Sequence, residues 1–231
     1  MIIQKLINII YLKNDQHIFG FGILIYTIMK KCNKCYLNLP ESNFHIRKDT
    51  KDGFNNFCKN CRKNENIEKL KYIYKKKNEI GGKCHKCGFD NILCLEFHHL
   101  YDKKCIINRL NKKIDIDNEI NKCILLCSFC HHLETEHSKD RNYKVKRNYD
   151  LVKNIKIEIG KCIHCYREVC DDNTNAFHFD HLNNKFKNVS HLCKQGYSVS
   201  KIIFEINKCQ LLCSNCHKLK TINQFNRLEY L

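Results

Sequence analysis

Apolar residues along the chain come in short runs broken by Lys and Asn, a pattern that favours several small modules over one large core. The first 29 residues hold two such runs, Ile2–Leu12 and Ile18–Met29, separated by the polar stretch Lys13–His17. Neither reaches the roughly 18 apolar residues a membrane span needs, and no small-residue cleavage site follows the second. Residues 1–29 are therefore expected as an extension, one that precedes a start at Met29. From Asn64 to Lys77, Ile67, Leu70, Ile73 and Tyr74 recur at helical spacing on a lysine-rich background, which predicts an amphipathic helix. Packing on the segment before it and tracking of a phosphate backbone both fit that helix. Leu93–Leu100 and Ala176–Leu182 alternate around Phe97 and Phe179 and predict strands. Ile114–Cys123 and Ser198–Cys209 predict helices, the second with Ser198 or Ser200 as its cap and Ile202, Ile203 and Ile206 as a core stripe.

A repeat orders these elements. EINKCILLCSFCH (Glu119–His131) returns as EINKCQLLCSNCH (Glu205–His217), differing at two positions, and upstream GKCHKC ending at Cys87 returns as GKCIHC ending at Cys165. Between them LEFHHL (Leu95–Leu100) matches FHFDHL (Phe177–Leu182). Each copy reads as knuckle, short strand, loop, short helix, second knuckle, helix. The expected organisation is an extension over 1–29, a cysteine finger with its following helix over 30–80, one module over 81–140, a basic polar linker over 141–160 and a second module over 161–231.

Eighteen cysteines in 231 residues would mean disulfides in a secreted chain, but twelve fall in six C-x-x-C pairs, the spacing that aims two thiolates at one metal. Three four-cysteine zinc sites are expected. Cys32, Cys35, Cys58 and Cys61 form the finger, with a turn at Lys51-Asp52-Gly53; Cys84, Cys87, Cys127 and Cys130 belong to the first module; Cys162, Cys165, Cys213 and Cys216 belong to the second. The fold class is thus small α+β zinc-stabilised modules, in which ligation supplies folding free energy that a small core lacks. The other cysteines, Cys94, Cys105, Cys123, Cys170, Cys193 and Cys209, are expected as small buried apolar residues. Thiolate chemistry of this kind implies an intracellular, reducing compartment: cytoplasm, or a host nucleus for a viral chain.

Formal charge is +17; three four-thiolate zinc sites would lower it to about +11. A basic surface favours a polyanion, of which nucleic acid is the commonest, and charge alone also fits an acidic membrane surface or simple solubility.

A strand ending in His-His or Asp-His that returns to C-x-x-C-H resembles the HNH (ββα-metal) nucleases, over residues 81–140 and 161–231. The KDGFNNFCKNCR stretch before them looks like the zinc finger that precedes such modules in nucleases of phage, giant-virus or mobile-element type. The resemblance implies two treble-clef-like ββα-metal domains behind a finger, and a metal-dependent DNA endonuclease. It implies that the histidine closing the strand, His99 or His181, is the general base. The residue before it, His98 or Asp180, and the histidine after the second knuckle, His131 or His217, would hold the catalytic metal. Magnesium is the expected ion, although His98, where the family favours Asp, leans toward a transition metal. The family's middle Asn, which orients the base, is replaced by Lys122 and Lys208, with Asn121 and Asn207 one position earlier. Lys103, Lys104, Lys185 and Lys187 follow the strand and fit either a grip on phosphate or a solvated loop. His85, His132, His137, His164 and His191 read as a fourth zinc ligand or as solvated loop residues. No membrane partner is expected, and a monomer is compatible with two modules on one chain. The rival function is a non-catalytic, zinc-containing nucleic-acid-binding protein or regulator on the same scaffold.

Overall fold

A computed structural model describes residues 28–135 and 142–224; most of the expected N-terminal extension, and His137, lie outside them. The described residues form two compact units, one up to Lys63 and one from Asn64 onward. In the first unit, β1 (Met29–Lys31) pairs with β2 (Asn38–Pro40) and β3 (Phe44–Ile46) with β4 (Phe54–Cys58), both antiparallel. Phe44, Cys32, Cys58 and Cys61 are its core, with Cys35, Leu39, Phe54 and Phe57 around them. Helix α1 (Lys59–Glu79) follows directly.

The second unit holds both repeats, each built on a two-stranded antiparallel ribbon. In the first repeat β5 (Leu95–His99) pairs with β6 (Cys123–Cys127), and α2 (Lys113–Ile120) precedes β6 while α3 (Ser128–Glu134) follows it. In the second, β7 (Phe177–His181) pairs with β8 (Cys209–Cys213), with α5 (Val189–Lys194) and α6 (Val199–Ile206) before β8 and α7 (Ser214–Gln224) after it. The registers match: Leu95 faces Cys127 and His99 faces Cys123, as Phe177 faces Cys213 and His181 faces Cys209. The runs CILLC and CQLLC, which looked like the approach to a knuckle, are therefore the second strand, and the two expected helices stop at Ile120 and Ile206.

The expected linker is instead helix α4 (Tyr143–Ile159), capped by Asn142, whose Oδ1 accepts the Val145 amide at 3.0 Å, and ended by Gly160 in the left-handed conformation. Val152 packs with Val189, Leu192, Ile202 and Ile206. Its charged background hid an apolar stripe that has a core to cover. The first repeat has the same device. From Asn64 on, α1 packs Ile73 against Ile107, Ile116 and Ile120. Lys77 of α1 donates to the carbonyl of Leu95, the first residue of β5, at 2.8 Å, and Lys156 of α4 to the carbonyl of Thr174, in the turn just before β7, at 2.9 Å. The structural repeat is thus longer than the sequence repeat and includes the helix in front. Ser198 precedes α6, but its hydroxyl bonds Ser200 Oγ at 3.2 Å and no side chain caps that helix.

The two repeats share one core. Leu95, Leu125, Leu126 and Phe129 of the first meet Ala176, Phe177, Leu211 and Leu212 of the second, and Phe129 stands edge-on to Phe177 with ring centres 5.6 Å apart. Of the two positions at which the thirteen-residue repeat differs, one serves this junction. Asn215, where the first repeat has Phe129, accepts the Phe129 amide on its Oδ1 at 3.0 Å. Among the described residues no helix is long and apolar enough to cross a membrane.

Candidate functional site

Three groups of four cysteines, the ones grouped by spacing, have their sulfurs within 4.8 Å of one another. Each first C-x-x-C turns alike. The Tyr36, Gly88 and Tyr166 amides donate to the carbonyls of Cys32, Cys84 and Cys162, all at 2.9 Å, and all three donors have positive φ. Only Gly88 adopts that conformation without a side-chain penalty; the tyrosines are held in it by the turn. The Cys58 and Lys34 amides point at Cys32 Sγ, and the Cys130 amide at Cys127 Sγ. Against desolvation, such bonds hold one thiol per group low, Cys32 at about 6 and Cys84 and Cys162 at about 7. Burial pushes others up, Cys61 and Cys213 to about 12. Four thiols this close cannot all ionise without a cation, and zinc is the dication that four thiolates select. Sulfurs around a tetrahedral zinc stand about 3.8 Å apart; Cys87 and Cys127 are 3.7 Å apart and Cys165 and Cys213 3.6 Å. These groups could each hold a zinc ion.

The remaining cysteines divide. Cys94 and Cys193 are buried, and Cys123 and Cys209 donate to the Glu119 and Glu205 carbonyls at 3.2 Å, closing the turn from helix to strand. Cys170 is exposed, against the expectation of a buried residue.

On the ribbon face toward the following helix, His98 meets His131, ring centres 5.3 Å apart. In the second repeat His217 Nε2 lies 3.5 Å from Asp180 Oδ1. The structure therefore brings together the two residues singled out as metal ligands in each repeat. The second sequence difference belongs here: Gln210, which faces Asp180 across the strands, donates to its Oδ2 at 3.0 Å, whereas Ile124 faces His98. Burial lowers His131 and His217 from the ordinary histidine value, which leaves their lone pairs available to a metal.

His99 and His181 are one residue further along each strand and engage a group that sequence reasoning missed. His99 donates Nε2–H to Glu119 Oε1 at 2.9 Å, and His181 to Glu205 Oε1 at 2.8 Å. Both carboxylates are buried, 4% and 1% exposed. Desolvation opposes their charge, but an ammonium and the amides of the next loop outweigh it and hold both at about 2. The ammonium is Lys122 at 3.1 Å in one repeat and Lys208 at 2.8 Å in the other. The amides are those of Lys104 and Cys105, and of Phe186 and Lys187. That bond places a ring proton on Nε2 and leaves Nδ1 as the other nitrogen of each ring. The pair Glu–Lys thus stands where an orienting Asn was expected; Asn121 and Asn207 are exposed ends of α2 and α6. The signal was present in the sequence, since Glu119 and Glu205 open the repeated EINKC.

No protein-family model, curated protein or solved structure matches this chain.

An open groove of about 990 Å³ runs between the repeats, lined by His98, His99 and His131 of the first and His178, His217 and Lys218 of the second. His178, unnoticed in the sequence, is driven by burial to about 3 and donates Nε2–H to Ser214 at 3.0 Å. His132, read as a zinc ligand or a solvated loop residue, stands edge-on against it, centres 4.8 Å apart. Of the lysines after the strands, Lys103 lines the groove and Lys185 is exposed. Lys104 serves through its amide, and Lys187 is tied by its ammonium to Tyr197 Oη at 3.0 Å. His85, His164 and His191 are exposed.

Proposed function

We propose that this chain is a metal-dependent DNA endonuclease of the HNH type. The observation that carries the reading is the doubled site. In both repeats the histidine after C-x-x-C stands beside the next-to-last residue of the first strand, and in both the last residue is an imidazole oriented by a buried carboxylate. Residues 98 and 180 differ in kind, yet the arrangement recurs.

In this reading His98 with His131, and Asp180 with His217, hold a divalent cation, Mg2+ or a transition metal. The ion supplies Lewis-acid stabilisation of charge on a phosphodiester and its leaving oxygen. Glu119 and Glu205 fix the tautomer of His99 and His181, so that Nδ1 is the atom that takes a proton from the attacking water. Zinc at the cysteine groups clamps strand to helix, and net positive charge holds the duplex.

A zinc protein that binds nucleic acid without cutting it is the second reading. It is favoured by the same bond: a histidine tied to a buried carboxylate is also a structural clamp. Plasmid cleavage with magnesium, manganese or EDTA separates the two, since conversion of supercoiled to nicked circle that stops in EDTA supports the nuclease and intact plasmid in every metal supports the binder.

A further inference from the structure

The two repeats match position by position, with an offset of 82 residues along the first strands and 86 from the short helix onward. On that correspondence Glu96 matches His178, His132 matches Lys218, and Glu134 matches Lys220. Contacts across the junction are reciprocal, as at an isologous interface. The residue after the last knuckle histidine crosses over each time: His132 lies against His178, and Lys218 donates to Glu96 Oε1 at 2.6 Å.

The crossing balances charge. In the second repeat the site carboxylate, Asp180, is paired with Lys220 of its own helix, α7. In the first repeat the matching position is Glu134, an anion engaged with Lys86, so α3 offers no lysine. The first repeat's carboxylate is Glu96, one turn of pleat before His98; its Oε2 lies 3.2 Å from His131 Nδ1, and its Oε1 takes the ammonium of Lys218 from the other repeat. Each site ends with one carboxylate, one lysine on that carboxylate, and the knuckle histidine beside it.

We infer that the first repeat's site is composite: Lys218, carried by the second repeat, is its positioning residue, holding Glu96 against His131 and presenting a cation to an anionic phosphodiester in the groove. A charge-assisted bond of this kind is both shorter and stronger than a neutral one. The first repeat is then not a free-standing enzyme, whereas the second carries its own lysine, Lys220.

Cleavage as a readout rests on the nuclease reading, so the test has two arms on the full chain. With the second repeat disabled by His181→Ala, Lys218→Met should slow the remaining cleavage at least tenfold, mainly in kcat, and Lys218→Arg should restore most of it. With the first repeat disabled by His99→Ala, Lys218→Met should slow cleavage at least tenfold less than it does in the first background, and Lys220→Met should be the damaging change. The reverse pattern, or equal losses in both backgrounds, overturns the proposal. The second arm needs no activity and decides when the first repeat does not cut. In nitrogen-15 spectra of the histidine rings at constant pH, Lys218→Met should move His131 and Lys218→Arg should return it. Movement of His217 alone, or of neither ring, overturns the composite site even if the nuclease reading stands.

Discussion

Lys77 and Lys156 show how single buried charges tie the helices to the ribbons. Burial holds both ammonium groups at about 8, below the ordinary 10.5, and each still has a carbonyl to donate to. Between those two values the unfolded chain keeps a proton that the folded chain has released, so folding gains as pH rises through the window from 8 to 10.5. Lys156→Met removes the titrating group. The stability of the parent relative to that variant should therefore rise by up to about 3 kcal/mol between pH 8 and pH 10.5, read from denaturant titrations in which zinc content is the same for both proteins. A difference that stays flat across the window contradicts a buried lysine of lowered basicity.

At the level of elements, the junction and the knuckles carry the most weight. Phe129 fills the space between the repeats against Phe177, and Arg167 lies over its ring at 4.1 Å. Phe129→Ala should cost about 3–5 kcal/mol, the range for a large aromatic removed from a packed core. A loss under about 1 kcal/mol would mean that the repeats do not depend on one another. The knuckles make the second element-scale prediction: native mass spectrometry should find three zinc ions per chain, and chelation should unfold the ribbons, because modules this small cannot hold their strands without ligation. Reduced, zinc-free protein that keeps its fold contradicts this.

Period and spacing made much of this legible. The cysteine groups and the first strands could be read because C-x-x-C and a two-residue alternation are local signals. Helix α4 and the strands CILLC and CQLLC could not, because a charged helix and a five-residue segment with no clean alternation acquire meaning only from the surface they pack on. The same limit hid Glu119, Glu205 and Lys218. A buried carboxylate is marked by the histidine it holds, 20 or 24 residues away along the chain, and the crossing lysine by a glutamate 122 residues away.

Across the whole molecule, the charge of +17 and the basic groove edge predict a polyelectrolyte response. Affinity for DNA should fall linearly in log–log terms with salt, by about 0.9 power per phosphate neutralised, in fluorescence titrations; an association constant that ignores salt contradicts a nucleic-acid partner. In the proposed function His99 and His181 are the bases that activate water for DNA cleavage. The most direct measurement of that role is the rate at which the full chain converts supercoiled plasmid in a divalent metal, set against the same chain carrying His99→Ala and His181→Ala together. The parent should give nicked circle and then linear product, and the double variant should be slower by about 10²–10⁴-fold while binding DNA as tightly. A double variant that cleaves as fast as the parent contradicts the account and leaves the zinc-stabilised binder in its place.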